Sequence, residues 1–249
     1  MSRVPSSAAR SILTILAMLG VFGAGVAFAG QNVGSINFTL GGKSMTSDWN
    51  VSQPETDASG VPLPLGRPRE PALGVEATWG RAGWPVMVAL DVLHSYDDGV
   101  VHEKATLVLP AIDLRQRAST LEIGIGVRRA VTIKGVTPYL GAGGAWVRAN
   151  FIVEGSVPNQ GFVSEPLGSL RAAGSAFGVW VGGGIYRRLG PRLQLGLTGR
   201  YSRAKLTFHG ATAIDPDGAT TFVPGDSPEF EAGGKHIGVI AGWSFPDRK

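Results

Sequence analysis

The sequence predicts an all-β protein, an eight-stranded antiparallel up-and-down transmembrane β-barrel. Three observations predict it. Charged residues are 17% of the chain and Gly accounts for 37 of its 249 positions; soluble domains carry roughly 25% charge and about half that share of glycine. Mean hydropathy is +0.12, yet the only apolar run long enough to cross a bilayer as a helix lies near the N-terminus. Beyond it, apolar residues recur at every second position, the period of a strand with two unlike faces.

Residues 1–29 read as a cleaved secretory signal peptide, which leaves residues 30–249 as the barrel domain. Arg3 and Arg10 form the positive start, residues 12–26 the apolar stretch, and Ala27-Phe28-Ala29 the small-residue cleavage site. The leader takes two of the 23 basic residues and no acidic one, so the formal charge falls from +4 to +2. With no run of Lys and Arg interleaved with aromatics, a nucleic-acid partner is not expected. The absence of cysteine excludes disulfides, thiol catalysis, iron–sulfur clusters and Cys-based zinc sites.

Eight alternating segments follow, at residues 35–40, 73–79, 86–92, 121–128, 138–146, 177–182, 193–201 and 237–245. One face of each is Leu, Ile, Val, Phe or Trp, and the other is mostly Gly, Ala, Ser and Thr with a few charges. A soluble sandwich would coat its outer face with long polar side chains. Small residues instead suit the crowded interior of a narrow closed barrel, so the large apolar face looks out at lipid.

The connections alternate in length. Residues 80–85, 132–135 and 189–192 are short and carry Gly or Pro, whereas residues 43–71, 97–117, 154–174 and 208–234 read as four long polar loops. Long loops on one side and tight turns on the other are the pattern of bacterial outer-membrane barrels. Residues 105–109 alternate enough to extend the second hairpin as a ribbon above the membrane, and Gly141-Ala142-Gly143-Gly144 has room for a bulge that would re-aim Trp146.

At this point the chain resembles the small eight-stranded outer-membrane barrels, the OmpA/OmpX-like class. The resemblance is carried by Phe38-Thr39-Leu40-Gly41-Gly42-Lys43, by residues 120–128, by residues 137–143 and by the closing Gly242-Trp243-Ser244-Phe245. It implies a Gram-negative outer-membrane location with both termini in the periplasm. The closing segment looks like the aromatic signal read by the barrel-assembly machinery, although Pro246-Asp247-Arg248-Lys249 follow the Phe that usually ends it. No peptidoglycan-binding domain follows, so a cell-wall anchoring role is not expected.

Parity places Glu76, Asp91, Glu122, Arg128, Arg188 and Arg200 in the lumen. Buried charges must pair, and the expected network joins Glu76 and Glu122 to Arg128 and Arg200, with Arg128 facing Tyr139 across a short turn. Such a network either plugs the barrel or lines a narrow gated pore. Tyr96, Trp146, Phe151, Tyr201, Trp79, Trp84, Tyr186, Trp243 and Phe245 fall near strand ends, where aromatic girdles sit, with core packing the alternative for the inward Tyr139, Trp180 and Tyr186. Arg148, Arg203 and Lys205 point outward near the outer rim, placed to contact lipopolysaccharide phosphates or to snorkel at the interface.

Catalysis is not expected. His94-Ser95 and His209 lie near the outer rim, where a Ser-His-acid arrangement would suit a lipid A-modifying hydrolase, but no His-x-Ser-Asn run supports one. Asp215, Asp217, Asp226, Glu229 and Glu231 lack the spacing of a calcium loop and read as a solvated acidic segment. No cofactor and no metal are expected. The function expected is structural or surface-interactive, through four long extracellular loops meeting an unidentified partner. The alternative is a small pore for small or hydrophobic solutes, with the hydrolase third.

Overall fold

The computed structural model describes residues 32–45, 70–81, 83–103, 112–157, 165–190, 192–227 and 229–245. The expected signal peptide lies outside the described residues. The strands are β1 (Asn32–Met45), β2 (Glu70–Arg81), β3 (Met87–Glu103), β4 (Ile112–Ala130), β5 (Val136–Val157), β6 (Glu165–Arg188), β7 (Leu193–Leu206), β8 (His209–Ile214), β9 (Thr220–Asp226), β10 (Phe230–Glu231) and β11 (Gly234–Phe245).

Eight of them close a ring. Strands β1 to β7 pair in sequence order, β11 pairs with β7, and β1 pairs with β11, every contact antiparallel. The closing seam runs without interruption from Gly34 opposite Phe245 to Met45 opposite Gly234. Closure leaves no unpaired edge inside lipid, where each unsatisfied backbone group would cost several kcal/mol, roughly.

The faces sort as the period of two requires. Along β11 burial alternates strictly, residue by residue. Phe177 is 85% exposed and Leu140 and Ile237 are 72% exposed on the outside, whereas Ser35, Asn37, Thr78, Asp91 and Glu122 are buried inside. This is a soluble protein's distribution turned inside out. No described helix is long and apolar enough to cross a membrane.

At one end of the barrel the turns are tight. Between β4 and β5, Ile133 and Val136 exchange both backbone hydrogen bonds, at 2.7 and 3.0 Å. Lys134 (φ 51°) and Gly135 (φ 82°) are both left-handed there, as a two-residue turn of type I′ needs to match strand twist.

The other end departs from the expected loops. A tilted strand crosses a bilayer in about 9–11 residues, but β4, β5 and β6 have 19, 22 and 24. Most of residues 97–117 and 154–174 therefore continue as paired strand. The β3–β4 ladder reaches Glu103 opposite Ile112, while residues 105–109 lie outside the described residues. Residues 208–234 contain the β8–β9 hairpin, and β8 pairs with β6 at Ser169–Arg171. Above the membrane both sheet faces meet water, so the alternation that betrays a strand in lipid is not required there. Ladder β5–β6 keeps its register through Gly141–Gly144 and shifts only between Gly155 and Ser156. No bulge forms at Gly141–Gly144, and Trp146 keeps its outward parity.

Candidate functional site

The lumen is filled in layers. Nearest the short turns, Arg128 of β4 pairs through Nη1 with Glu76 of β2. Its guanidinium carbon lies 3.4 Å from the centroid of the Tyr139 ring and 5.7 Å from that of Tyr186. Tyr139 sits opposite Ala130 in the ladder and Arg128 opposite Gly141, so cation and ring meet on the diagonal, two residues off the direct pairing that was expected. The Tyr139 hydroxyl donates to Thr198 Oγ1 at 2.8 Å. Asn37 donates to Glu76 Oε1 at 3.1 Å and accepts from Gln194.

One layer up, Arg200 of β7 reaches across to Asp91 of β3 and, at 3.4 Å, to Glu122 of β4. Glu122 is fully buried and takes its shortest contact, 2.5 Å, from Lys43 Nζ. Lys43 also donates to Thr120 Oγ1 at 3.0 Å, and Ser202 donates to Glu122 at 3.1 Å. The Arg200 guanidinium carbon lies 4.8 Å from the Trp180 ring. Space for that indole comes from glycine: a Cβ on Gly126 would stand 2.8 Å from it and one on Gly141 3.3 Å.

Toward the long-loop end the filling turns apolar. Val147, Ala149, Trp180, Leu206, Phe208 and Ala232 form one buried cluster, with Phe151 and Ala172 against it. Beside it Ser95 donates to Glu70 at 2.8 Å and shares a 2.7 Å hydrogen bond with Thr120.

The structure thus brings Glu76, Asp91, Glu122, Arg128 and Arg200 together, with two differences from the expected pairing. Asp91 is a direct partner of Arg200, and Glu122 answers first to Lys43. Arg188 is separate, exposed at the short-turn mouth. Sequence reasoning placed Lys43 at the start of a loop and left Asn37, Glu70, Gln194 and His236 without a role, yet all are buried. Their signal was available: Lys43 shares parity with Ser35 and Asn37, Glu70 with Glu76, and His236 with Ser244.

Of the aromatic residues, Tyr186 packs inward beside Tyr139, with ring centroids 6.0 Å apart, as its core-packing reading required, and Phe151, expected in a girdle, packs against the lumen cluster because it shares the inward parity of Val147 and Ala149. Trp79, Trp84, Trp243, Phe245 and Tyr96 are exposed at the strand ends. Arg148 is exposed and among the described residues has no carboxylate partner. Arg203 pairs with Glu231 at 2.8 Å and Lys205 with Glu229 at 2.6 Å, so these two cations are matched.

His94 and Ser95 do not form a catalytic pair. Adjacent residues of a strand point to opposite faces: the Ser95 hydroxyl is in the lumen, and His94 Nδ1 lies 3.0 Å from the Thr120 carbonyl oxygen. His209 is distant on β8, 2.9 Å from Asp226. Asp217 caps the β8–β9 turn by accepting from Ala219 N–H at 3.1 Å. Among the described residues no group of three or more His, Asp or Glu is placed to hold a metal ion.

A closed ring of eight strands with an aliphatic exterior and a charged, packed interior defines a small outer-membrane-type β-barrel protein. The chain is similar to several solved structures at low identity. Neisserial surface protein A (NspA) is 14% identical over 86% of this chain and 97% of its own, with a TM-score of 0.43. A major outer membrane protein from Thermus thermophilus is 14% identical over 86% and 99%, at 0.49. The outer membrane protein OprG from Pseudomonas aeruginosa is 14% identical over 87% and 98%, at 0.44. No protein-family model matches the chain, and no curated protein does.

Proposed function

We propose that this protein is a closed, non-conducting outer-membrane barrel whose work is structural and surface-interactive, done by the raised sheet at its long-loop end. In this reading the leader carries the chain across the inner membrane, the barrel-assembly machinery reads Gly242–Phe245, and both termini face the periplasm. The long-loop end then stands outside the cell, where exposed irregular and extended segments carry recognition.

The observation that carries the proposal is the filling of the middle and long-loop end of the lumen by paired charges and apolar side chains. Ion pairs occupy the middle, and the cluster of Val147, Trp180, Leu206 and Phe208 sits above them. A conducting pore needs a continuous water path lined by groups that release the ion again. Paired charges capped by apolar side chains offer neither. Planar-bilayer recording of the purified protein should show no stepwise conductance; reproducible steps in the unmutated chain would overturn the reading in favour of a pore. Protease cleavage of intact cells at the β8–β9 turn tests the orientation.

Lipopolysaccharide phosphates remain the proposed neighbours of Arg148, Arg203 and Lys205. Arg148 is the strongest of the three, because the others already have carboxylates. Lipid A from expressing cells should be unmodified by mass spectrometry, since Ser95 and His94 face apart.

A further inference from the structure

The raised sheet at the long-loop end finishes in an uncovered ribbon. Among the described strands, β8 is tied to β6 only at Ser169, Leu170 and Arg171, and β9 pairs only with β8. All seven residues of β9 are exposed, Phe222 at 64% and Val223 at 44%. Two strands without a third, or without a packed face, are marginally stable in water. A solvated loop has no need of strand-forming residues, yet Thr220-Thr221-Phe222-Val223 is β-branched or aromatic throughout.

The turn fixes which backbone groups are free. Asp215 N–H donates to the Ala219 carbonyl and Gly218 N–H to the Asp215 carbonyl, both at 2.9 Å. With Gly218 left-handed (φ 90°), this is the geometry of a three-residue hairpin loop. Hydrogen-bonded and non-hydrogen-bonded pairs then alternate down the ladder. Thr221 opposite Ala213 and Val223 opposite Ala211 bond to β8, so the backbone N–H and C=O of Thr220 and Phe222 point to the open side. The row ends at Pro224, which has no N–H to offer. Edges built to stay bare carry charged side chains, Lys above all; no Lys or Arg stands between Lys205 and Lys235.

Charge selects the occupant. Asp215, Asp217 and Asp226 are exposed along the hairpin, and their one ion-pair partner among the described residues is His209, 2.9 Å from Asp226. A second copy fits poorly. Antiparallel pairing of two β9 strands about Phe222 sets Asp226 of each against the Asp217–Gly218 turn of the other, and like charges opposed across a ladder destabilise it. We propose that β9 takes a third strand from a partner protein, an extended segment in which Lys or Arg alternates with β-branched or aromatic residues. Thr220 and Phe222 supply the main-chain hydrogen bonds, the exposed Phe222 ring gives the apolar side chains a surface, and the three carboxylates receive the cations. This names the class of partner for the surface-interactive reading above, and rests on that reading for the side of the membrane where the partner is met.

The test uses the full chain folded in dodecyl maltoside and a fluorescein-labelled synthetic peptide of Lys alternating with Val and Thr, followed by fluorescence anisotropy at low ionic strength. Saturable one-site binding is expected, and the same peptide with Glu in place of Lys should bind at least about tenfold more weakly. Thr220→Pro deletes a free-edge donor without touching the β8 ladder and should weaken binding about fivefold. Thr220→Val keeps that donor and should bind as the unmutated chain does. The hairpin lies outside the closed ring, so the barrel folds in both variants. Absence of saturable binding, or equal affinity in Thr220→Pro, overturns the edge; equal affinity for the Glu peptide overturns the charge assignment. Concentration-dependent dimers in sedimentation, abolished by Thr220→Pro, would make a second copy the occupant and overturn the partner assignment. Each of these results bears on β9 alone, whereas conductance steps would overturn the closed-barrel reading and leave measured peptide binding in place.

Discussion

The pair Lys43–Glu122 tests how the lumen is held. Both side chains are essentially inaccessible, at 1% and 0% exposure, and Nζ stands 2.5 Å from Oε1. Breaking a buried ion pair from one side costs about 3–5 kcal/mol, because the surviving charge is left without compensation. The two directions are unequal here. Lys43→Met leaves Glu122 with Arg200 at 3.4 Å and Ser202 at 3.1 Å, so the loss belongs at the lower end, about 3 kcal/mol. Glu122→Leu leaves Lys43 hydrogen-bonded to the neutral Thr120 hydroxyl at 3.0 Å and the Ala232 carbonyl at 3.4 Å, with Glu70 as a carboxylate neighbour but not a contact partner, so the loss belongs at the upper end, about 5 kcal/mol. The double variant removes both charges and should come back to within about 1 kcal/mol of the unmutated chain. Equilibrium urea unfolding in lipid or detergent measures all three through the midpoint at constant slope. Lys205→Met serves as the exposed control: Lys205 and Glu229 are each 56% exposed, and such a pair is worth about 0–1 kcal/mol. If both single variants behave like that control, or if the double costs the sum of the singles, the account of the lumen network is wrong.

Further outcomes follow from other contacts. Arg200→Ala strips Asp91 and Glu122 of a shared partner and should lower the melting temperature in detergent, with a cost of about 3–5 kcal/mol by urea titration. Gly126→Leu drives a side chain into Trp180 and should destabilise by about 1–3 kcal/mol, visible as shifted tryptophan fluorescence and an earlier urea midpoint. Lys134→Asn keeps the left-handed turn conformation with a residue suited to it and should stabilise by about 0.5 kcal/mol, whereas Lys134→Ile should destabilise. On the raised β3–β4 ribbon, Arg115 donates to both Asp98 oxygens, at 2.8 and 2.5 Å, and holds its carboxyl below the usual 3.8. A depressed value means the contact contributes fully above the usual carboxylate range and is lost as pH falls through the lowered one; carboxyl NMR titration should show Arg115→Gln returning Asp98 toward the ordinary value.

The barrel was legible because lipid enforces the alternation. Phe38, Leu140, Phe177 and Ile237 must face hydrocarbon, and Gly126, Gly141 and Gly182 must leave room inside, so both faces carry information. The network was partly legible for the same reason: once parity is set, Glu76, Glu122, Arg128 and Arg200 can only point inward. Two things were hidden. Strand ends were drawn where hydrophobic alternation fades, which cut Lys43 and Glu70 off from the parity they share with Asn37 and Glu76. Partner choice was hidden as well, because it depends on ring register. Arg200 reaches Asp91 across the lumen between β7 and β3, which are not ladder neighbours, and no spacing along the chain encodes that distance.

The balance of lumen charge bears on what the barrel does. Its core pairs join three cations, Lys43, Arg128 and Arg200, to three carboxylates, Glu122, Glu76 and Asp91, and a fourth buried carboxylate, Glu70, is held by the Ser95 hydroxyl. A selective ion path is built from an excess of one sign, which draws in the counter-ion and lets it move between equivalent sites. A set of paired charges does the reverse: each cation is held by a carboxylate, and an entering ion would have to break a buried pair to find a ligand. The described excess charge is placed instead at the ends, basic around Arg81, Arg188 and Arg192 and mixed on the raised sheet, where Arg115, Arg117 and Arg203 meet Asp98, Glu154 and Glu231. Charge in this chain is therefore scarce because most of the barrel wall faces lipid or close-packed lumen, and what remains is spent on closing the middle and dressing two unlike ends.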